Sequence, residues 1–253
     1  MLPDFLIIGT QKGGTTSLHD QLCAHPLVLP PVQKEVHYFT HNATRPESWY
    51  RSHFPAAARH APAGRRAVTG EATPYYLFHP GAPARAQSLL PAVRLIVLLR
   101  DPVARALSHH NHELALGYED LPFESALAAE DGRLAGEAER LAADPRATSH
   151  AHQHFSYVAR GRYADQLERW LEHYSRRQLL VLISEEFFAD PARVTLEAQR
   201  FLALPEEPPQ SLAPRNARRY ARVDDRLRRR LAGLFTDQND RLSRLLDRDL
   251  PWE

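Results

Sequence analysis

The chain has 253 residues, 32 basic and 31 acidic, for a formal net charge of +1 with histidine neutral. That length suits one α/β domain or two small ones, and an apolar share of 43% with balanced charge excludes a disordered chain. No apolar run approaches the roughly 18 residues a membrane span requires, and a single cysteine, Cys23, excludes an internal disulfide and any cysteine-based zinc site. The N-terminus shows no basic region or small-residue cleavage site. We therefore expect no signal peptide, no membrane partner and a cytoplasmic location. Only Lys12 and Lys34 are lysines, and the other thirty basic residues are arginine.

In chain order, Phe5–Ile8 reads as a buried strand and Ser17–Ala24 as the helix after it. Ala67–Thr69 is a weaker strand, followed by a helical pattern at Pro83–Leu90. Arg94–Leu99 is a strand and Pro102–Leu116 a helix. Gly132–Arg146 is a polar, Ala-rich insertion, helical or mobile. Ala164–Tyr174 has Leu167, Trp170 and Leu171 at helical spacing, before a strand at Leu179–Ile183 and a helix at Pro191–Leu202. Strands alternating with helices predict an α/β fold, a P-loop-type parallel sheet flanked by helices, in one domain over 1–253. Pro205–Pro214 reads as a loop. Beyond it Leu227, Leu231, Leu234 and Phe235 form an apolar stripe that Leu242, Leu245, Leu246 and Leu250 extend, so the C-terminal part is helical.

The most informative segment is Gly9-Thr10-Gln11-Lys12-Gly13-Gly14-Thr15-Thr16-Ser17, which leaves a strand and opens a helix. Glycines there let backbone N–H groups converge on an anion, and the helix N-terminus adds its positive end. Thr15, Thr16 and Ser17 can donate hydroxyl hydrogen bonds to the same oxygens. The triphosphatase loop requires G-x-x-x-x-G-K-[ST]. Here Thr15 stands where that lysine belongs, and the lysine lies three positions earlier, at Lys12. An ordinary kinase or ATPase is disfavoured, and a P-loop kinase with a shifted lysine stays as an alternative.

The segment IIGTQKGGTTSL, Ile7–Leu18, resembles the 5′-phosphosulfate loop of sulfotransferases that use 3′-phosphoadenosine 5′-phosphosulfate (PAPS). It is most similar to the heparan-sulfate-type and related bacterial branch. The resemblance implies that Gln11 to Ser17 bind the donor and that Lys12 stabilises the departing bridge oxygen. It further implies that Arg100 and Ser108, within Leu98–Ser108, grip the 3′-phosphate, and that no metal is required. Arg218, Arg219 and Tyr220 match the family's basic loop over the nucleotide, although Ala221 replaces its proline. Arg160-Gly161-Arg162-Tyr163 matches a further segment, which brings Gly161 and Tyr163 toward the donor.

Transfer to a hydroxyl or amine needs a base for the acceptor proton. Lys34-Glu35-Val36-His37-Tyr38-Phe39 resembles the run that supplies the base in heparan-type enzymes, and Gly70-Glu71-Ala72-Thr73-Pro74-Tyr75-Tyr76 resembles a second such run. Glu35, Glu71 and His37 all stay candidates. Strand alternation in the first run would put Glu35 and His37 on one face and turn Lys34 away from Glu35. His109, His110 and His112 fall on a helix, and His150, His152 and His154 have strand-like spacing; an acceptor pocket or solvent, rather than a metal, is the expected environment. Trp49, Tyr50, Tyr75 and Tyr76 are stacking or core aromatics. The expected activity is sulfuryl transfer from PAPS to a small-molecule or carbohydrate acceptor, releasing adenosine 3′,5′-bisphosphate. The cluster Arg215, Arg218, Arg219, Arg222, Arg226, Arg228, Arg229 and Arg230 motivates another reading, a polyanion-binding module. Leu227, Leu231 and interspersed aspartates favour a helix covering the donor site, and no nucleic-acid partner is expected.

Overall fold

A computed structural model describes residues 1–55, 66–208 and 224–252. Its elements run β1 (Phe5–Gly9), α1 (Thr15–Cys23), β2 (Val28–Leu29), α2 (Glu47–Arg51), β3 (Val68–Ala72), α3 (Tyr75–Phe78), α4 (Ala82–Leu89) and β4 (Arg94–Leu99). There follow α5 (Pro102–Leu116), α6 (Phe123–Leu134), α7 (Glu137–Ala143), α8 (His150–His154), α9 (Tyr163–Leu171) and β5 (Leu179–Ile183). The chain then continues through α10 (Ser184–Ala189), α11 (Pro191–Phe201), α12 (Asp225–Gly233) and α13 (Thr236–Leu246).

All strand pairs are parallel, in the order β2-β3-β1-β4-β5. Side-chain alternation along the central strands divides the core into two layers. Leu6, Ile8, Leu95, Val97 and Leu99 face Trp170, Tyr76 and Leu242. Phe5, Ile7, Ile96 and Leu98 face Leu18, Leu22, Phe187 and Val194. Both faces are covered, which is why these strands read as continuous apolar runs.

The topology places a ligand site. After β1 the chain moves to one side of the sheet, through β2 and β3; after β4 it moves to the other, to β5. The carboxyl ends of β1 and β4 therefore flank a topological switch point, where open α/β sheets bind ligands. The loop after β1 and Arg100 after β4 both lie there. Local chemistry starts α5 at the right place: the Asp101 carboxylate accepts from Val103 N–H (3.0 Å), and Pro102 occupies the first helical position.

Several sequence expectations change. The weak strand at Ala67–Thr69 is β3, long enough to carry Glu71 into the sheet, while two-residue β2 is too short to leave an apolar signature. Lys34–Phe39 is not a strand but an irregular segment, with His37 in the left-handed region (φ 55°). His150–His154 is helix α8, started by the Ser149 side chain accepting from His152 N–H, so its alternate spacing was no strand signal. The Gly132–Arg146 insertion divides into the end of α6 and α7, separated by Gly136 (φ 73°). In the C-terminal stripe Leu231, Phe235 and Leu242 are buried, whereas Leu234 is half exposed.

Candidate functional site

The glycine loop is shaped by contacts that exclude side chains. A Cβ on Gly13 would lie 2.4 Å from the carbonyl oxygen of Leu98 in β4, and one on Gly14 would lie 2.9 Å from Phe188 Cζ. Gly14 caps α1 with φ 97°, and Lys12 has φ 69°, so the loop curls with left-handed residues just before the helix. Ser184 Oγ donates to Gly13 C=O (2.6 Å), and Arg100 Nη1 donates to Lys12 C=O (3.0 Å). The two segments expected to bind one donor are thus joined directly.

A cavity of about 480 Å³ opens over this loop. Of the expected donor residues, Gln11, Lys12, Gly14, Thr15, Thr16, Ser17, Arg100 and Ser108 line it. Gly13 stands behind the wall, against Leu98. Tyr163 does not line it either: it is buried, and its hydroxyl donates to Arg100 C=O (2.9 Å), placing it beneath the donor wall. Gly161 packs against Phe235 and Pro102. Arg218, Arg219 and Tyr220 lie outside the described residues.

On the opposite wall Glu35 and His37 line the cavity, with His37 Nε2 3.4 Å from Glu35 Oε2. Lys34 lines it too, contrary to the alternation argument. Its Nζ donates to Glu35 Oε1 (2.7 Å) and to Thr16 Oγ1 (2.8 Å), because the segment is not extended. Burial pushes the Glu35 carboxyl up, but the His37 hydrogen bond and the Lys34 charge outweigh it and hold the group at about 2.

Glu71 has a different place. It is fully buried on β3 and absent from the cavity wall. Its Oε1 accepts from Tyr50 Oη (2.7 Å) and Tyr76 Oη (3.0 Å), and its Oε2 from Thr73 Oγ1 (2.6 Å) and Val36 N–H (3.0 Å). Burial raises its pKa, and those donors partly offset the rise. The same cluster holds the next two amides: His37 N–H donates to Thr73 Oγ1 (3.4 Å) and Tyr38 N–H to Tyr76 Oη (2.8 Å). Three consecutive N–H groups after Glu35 are therefore fixed by side chains of Glu71, Thr73 and Tyr76. The geometry makes Glu71 a support for the Glu35 segment. Among the four aromatics, Tyr50 and Tyr76 are core and Trp49 packs near Tyr38, while Tyr75 reaches the cavity.

The residues that sequence reasoning missed surround Gln11. Arg160, 3% exposed, donates from Nη1 to Gln11 Oε1 (2.6 Å) and from Nε to Ser156 Oγ (2.8 Å), with its guanidinium 4.9 Å from the Tyr75 ring centroid. Burial lowers its pKa to about 10, so it remains a cation near neutrality. Glu113 lies one turn beyond His109 on α5, with His109 Nε2 at 3.1 Å and His154 Nδ1 at 2.9 Å. Burial pushes the Glu113 carboxyl up, but the two imidazoles hold it at about 2. The four-residue spacing of Ser108 and His112, both on the wall, was a legible signal that they share one face of α5, which borders the cavity. The approach of His154 from α8 was not. His109 and His110 are buried instead, and among the described residues no group of three or more His, Cys, Asp or Glu is arranged for a metal ion.

Fold and site together define an α/β protein whose glycine loop, at a helix N-terminus, faces a carboxylate across one cavity at the sheet's switch point. Comparison gives the family. A profile described as Sulfotransferase domain matches residues 2–217. A solved structure, a sulfotransferase from Alicyclobacillus acidocaldarius, superposes with a TM-score of 0.76 at 30% identity, covering 99% of this chain and 98% of that one. The chain is 30% identical to bifunctional heparan sulfate N-deacetylase/N-sulfotransferase 1 of Caenorhabditis elegans, over 97% of its own length and 30% of the relative's. It is 34% identical to human heparan sulfate glucosamine 3-O-sulfotransferase 3B1, over 80% of its length and 46% of the relative's. This chain therefore spans less than half of either curated relative. It belongs to the sulfotransferase family.

Proposed function

We propose that this chain moves a sulfuryl group from PAPS to a hydroxyl, or an amine, of a carbohydrate or smaller acceptor, releasing adenosine 3′,5′-bisphosphate. One observation carries the reading: the loop residues Gln11, Lys12 and Gly14 to Ser17, the Arg100 and Ser108 wall and the Glu35 carboxylate all border one cavity. Gly14 N–H, the α1 N-terminus and the Thr15, Thr16 and Ser17 hydroxyls suit the phosphosulfate, and Arg100 with Ser108 suits the 3′-phosphate. Lys12 stabilises the bridge oxygen, where a compact ammonium fits a tight glycine turn better than a planar guanidinium. Transfer breaks the bond from sulfur to that oxygen, whose electron pair stays on the departing phosphate. The acceptor oxygen or nitrogen forms the new bond to sulfur, and its proton passes to Glu35. The acceptor-side wall, with Tyr75, Tyr118 and His154, offers ring faces that suit a sugar. Heparan-sulfate-active relatives support a carbohydrate acceptor.

Thermal denaturation with adenosine 3′,5′-bisphosphate, ADP and Mg-ATP tests the reading. Selective stabilisation by the bisphosphate, with no need for Mg²⁺, is expected. Equal shifts with ADP, or a shift confined to Mg-ATP, would favour a nucleotide kinase with a displaced lysine.

A further inference from the structure

Two lysines stand against thirty arginines in this chain, and both line the same cavity. Transfer as described above employs Lys12 and leaves Lys34 without a part. Yet Lys34 lies where the two halves of the reaction meet. Its ammonium spans from Thr16, in the first turn of α1 on the donor side, to Glu35, the carboxylate on the acceptor side. The backbone fixes that position: Ala72 N–H, at the end of β3, donates to Lys34 C=O (2.9 Å), and Gln33 Nε2 donates to Glu35 C=O (2.7 Å). The side chain is 24% exposed, so its charge is only partly screened by solvent.

Hydrogen-bond direction adds a second observation. An ammonium carries three donors; Thr16 and Glu35 take two, which leaves one for a ligand in the cavity. Because Thr16 Oγ1 accepts from Lys34, the threonine's own proton is released to another acceptor, and the cavity is where a donor oxygen would stand.

Sulfuryl transfer develops charge in two places, on the bridge oxygen and on the three peripheral oxygens of the group in flight. Lys12 serves the first. Resting on the sulfuryl-donor reading of this cavity, we propose that Lys34 is a second catalytic cation, binding a peripheral sulfuryl oxygen while the group passes from the bridge oxygen to the acceptor. A fixed cation aimed at charge that grows in the transition state lowers the barrier. The same movement draws the ammonium off Glu35. Loss of that positive neighbour raises the carboxylate's proton affinity at the step where it must take the acceptor proton. In the ground state Lys34 and Glu35 satisfy each other; as the sulfuryl group leaves the bridge oxygen, each turns to its own part of the reaction.

Lys34→Met removes the ammonium and keeps the stem. Calorimetry with adenosine 3′,5′-bisphosphate, which has no sulfuryl group, should show affinity within about twofold of wild type, which also reports a folded variant. Single-turnover loss of label from ³⁵S-PAPS, with water or a heparan sulfate oligosaccharide as acceptor, should slow by roughly tenfold or more. The acid limb of the rate should move to higher pH, toward the ordinary carboxylate range, because Glu35 has lost a positive neighbour. A rate near wild type, an unmoved acid limb, or a loss of bisphosphate affinity equal to the loss of rate would each overturn the role of Lys34. Failure of the wild-type protein to bind the bisphosphate would instead overturn the donor reading beneath it.

Discussion

Glu71→Gln separates support from chemistry. The carboxylate accepts four hydrogen bonds in a fully buried position. A glutamine keeps the shape but offers one carbonyl oxygen and one NH₂ group. Val36 N–H cannot rotate away, so the amide oxygen must take the Oε2 position, and the NH₂ then faces Tyr50 and Tyr76. Both phenols can accept from it, but their own O–H groups lose their acceptor. Two stranded buried donors cost about 1–3 kcal/mol each. Removing a buried anion returns part of its desolvation cost, so the net loss should be about 2–4 kcal/mol. For a chain of this size that corresponds to roughly 5–15 °C in melting temperature. Transfer should fall through a looser Glu35 segment while bisphosphate affinity is kept. Calorimetric melting paired with a transfer assay reads both. A variant as stable as wild type but devoid of transfer would refute the reasoning and return Glu71 to the role of base.

Three further outcomes follow from the same geometry. Lys12→Ala and Glu35→Gln should each abolish measurable transfer, while Glu35→Gln still binds adenosine 3′,5′-bisphosphate; if Glu35→Gln turns over near the wild-type rate, the base lies elsewhere. Gly13→Ala puts a methyl group 2.4 Å from the Leu98 carbonyl oxygen, a backbone atom that cannot swing aside. That variant should lose about 1–3 kcal/mol or more in denaturant titration, together with bisphosphate binding. The Glu113 carboxyl is held at about 2, below its ordinary 4.5. Its folded pKa is depressed, so its contribution to stability is present above about 4.5 and is lost as pH falls from there through about 2. Melting temperature against pH should fall more steeply for wild type than for Glu113→Gln across that window.

The expected donor half of the cavity was legible as a structure because it is local. A strand, a glycine turn and a helix N-terminus follow one another within Phe5 to Cys23, and Arg100 follows the next central strand. The segment of the candidate base was legible only in part. Glu35 and His37 do meet, as alternation suggested, but through a left-handed His37 that no residue type announces. The same irregularity turns Lys34 onto Glu35 rather than away from it. The function of Glu71 depends on Tyr50, Tyr76 and Val36 closing round it from separate segments, and that of Glu113 on His154 arriving from α8. Contacts over such distances leave no spacing to read. The C-terminal stripe shows the opposite error: periodicity included Leu234, yet α12 packs against the core through Leu231 and Phe235 at its edge.

The reaction proposed for this cavity is sulfuryl transfer from PAPS. Incubation with ³⁵S-labelled PAPS and a heparan sulfate oligosaccharide, alongside smaller alcohols and amines, tests it most directly. Label should move to an acceptor with one adenosine 3′,5′-bisphosphate released for each group transferred, and without added metal. Label that stays on the nucleotide with every acceptor, while the γ-phosphate of Mg-ATP is transferred, would contradict the account.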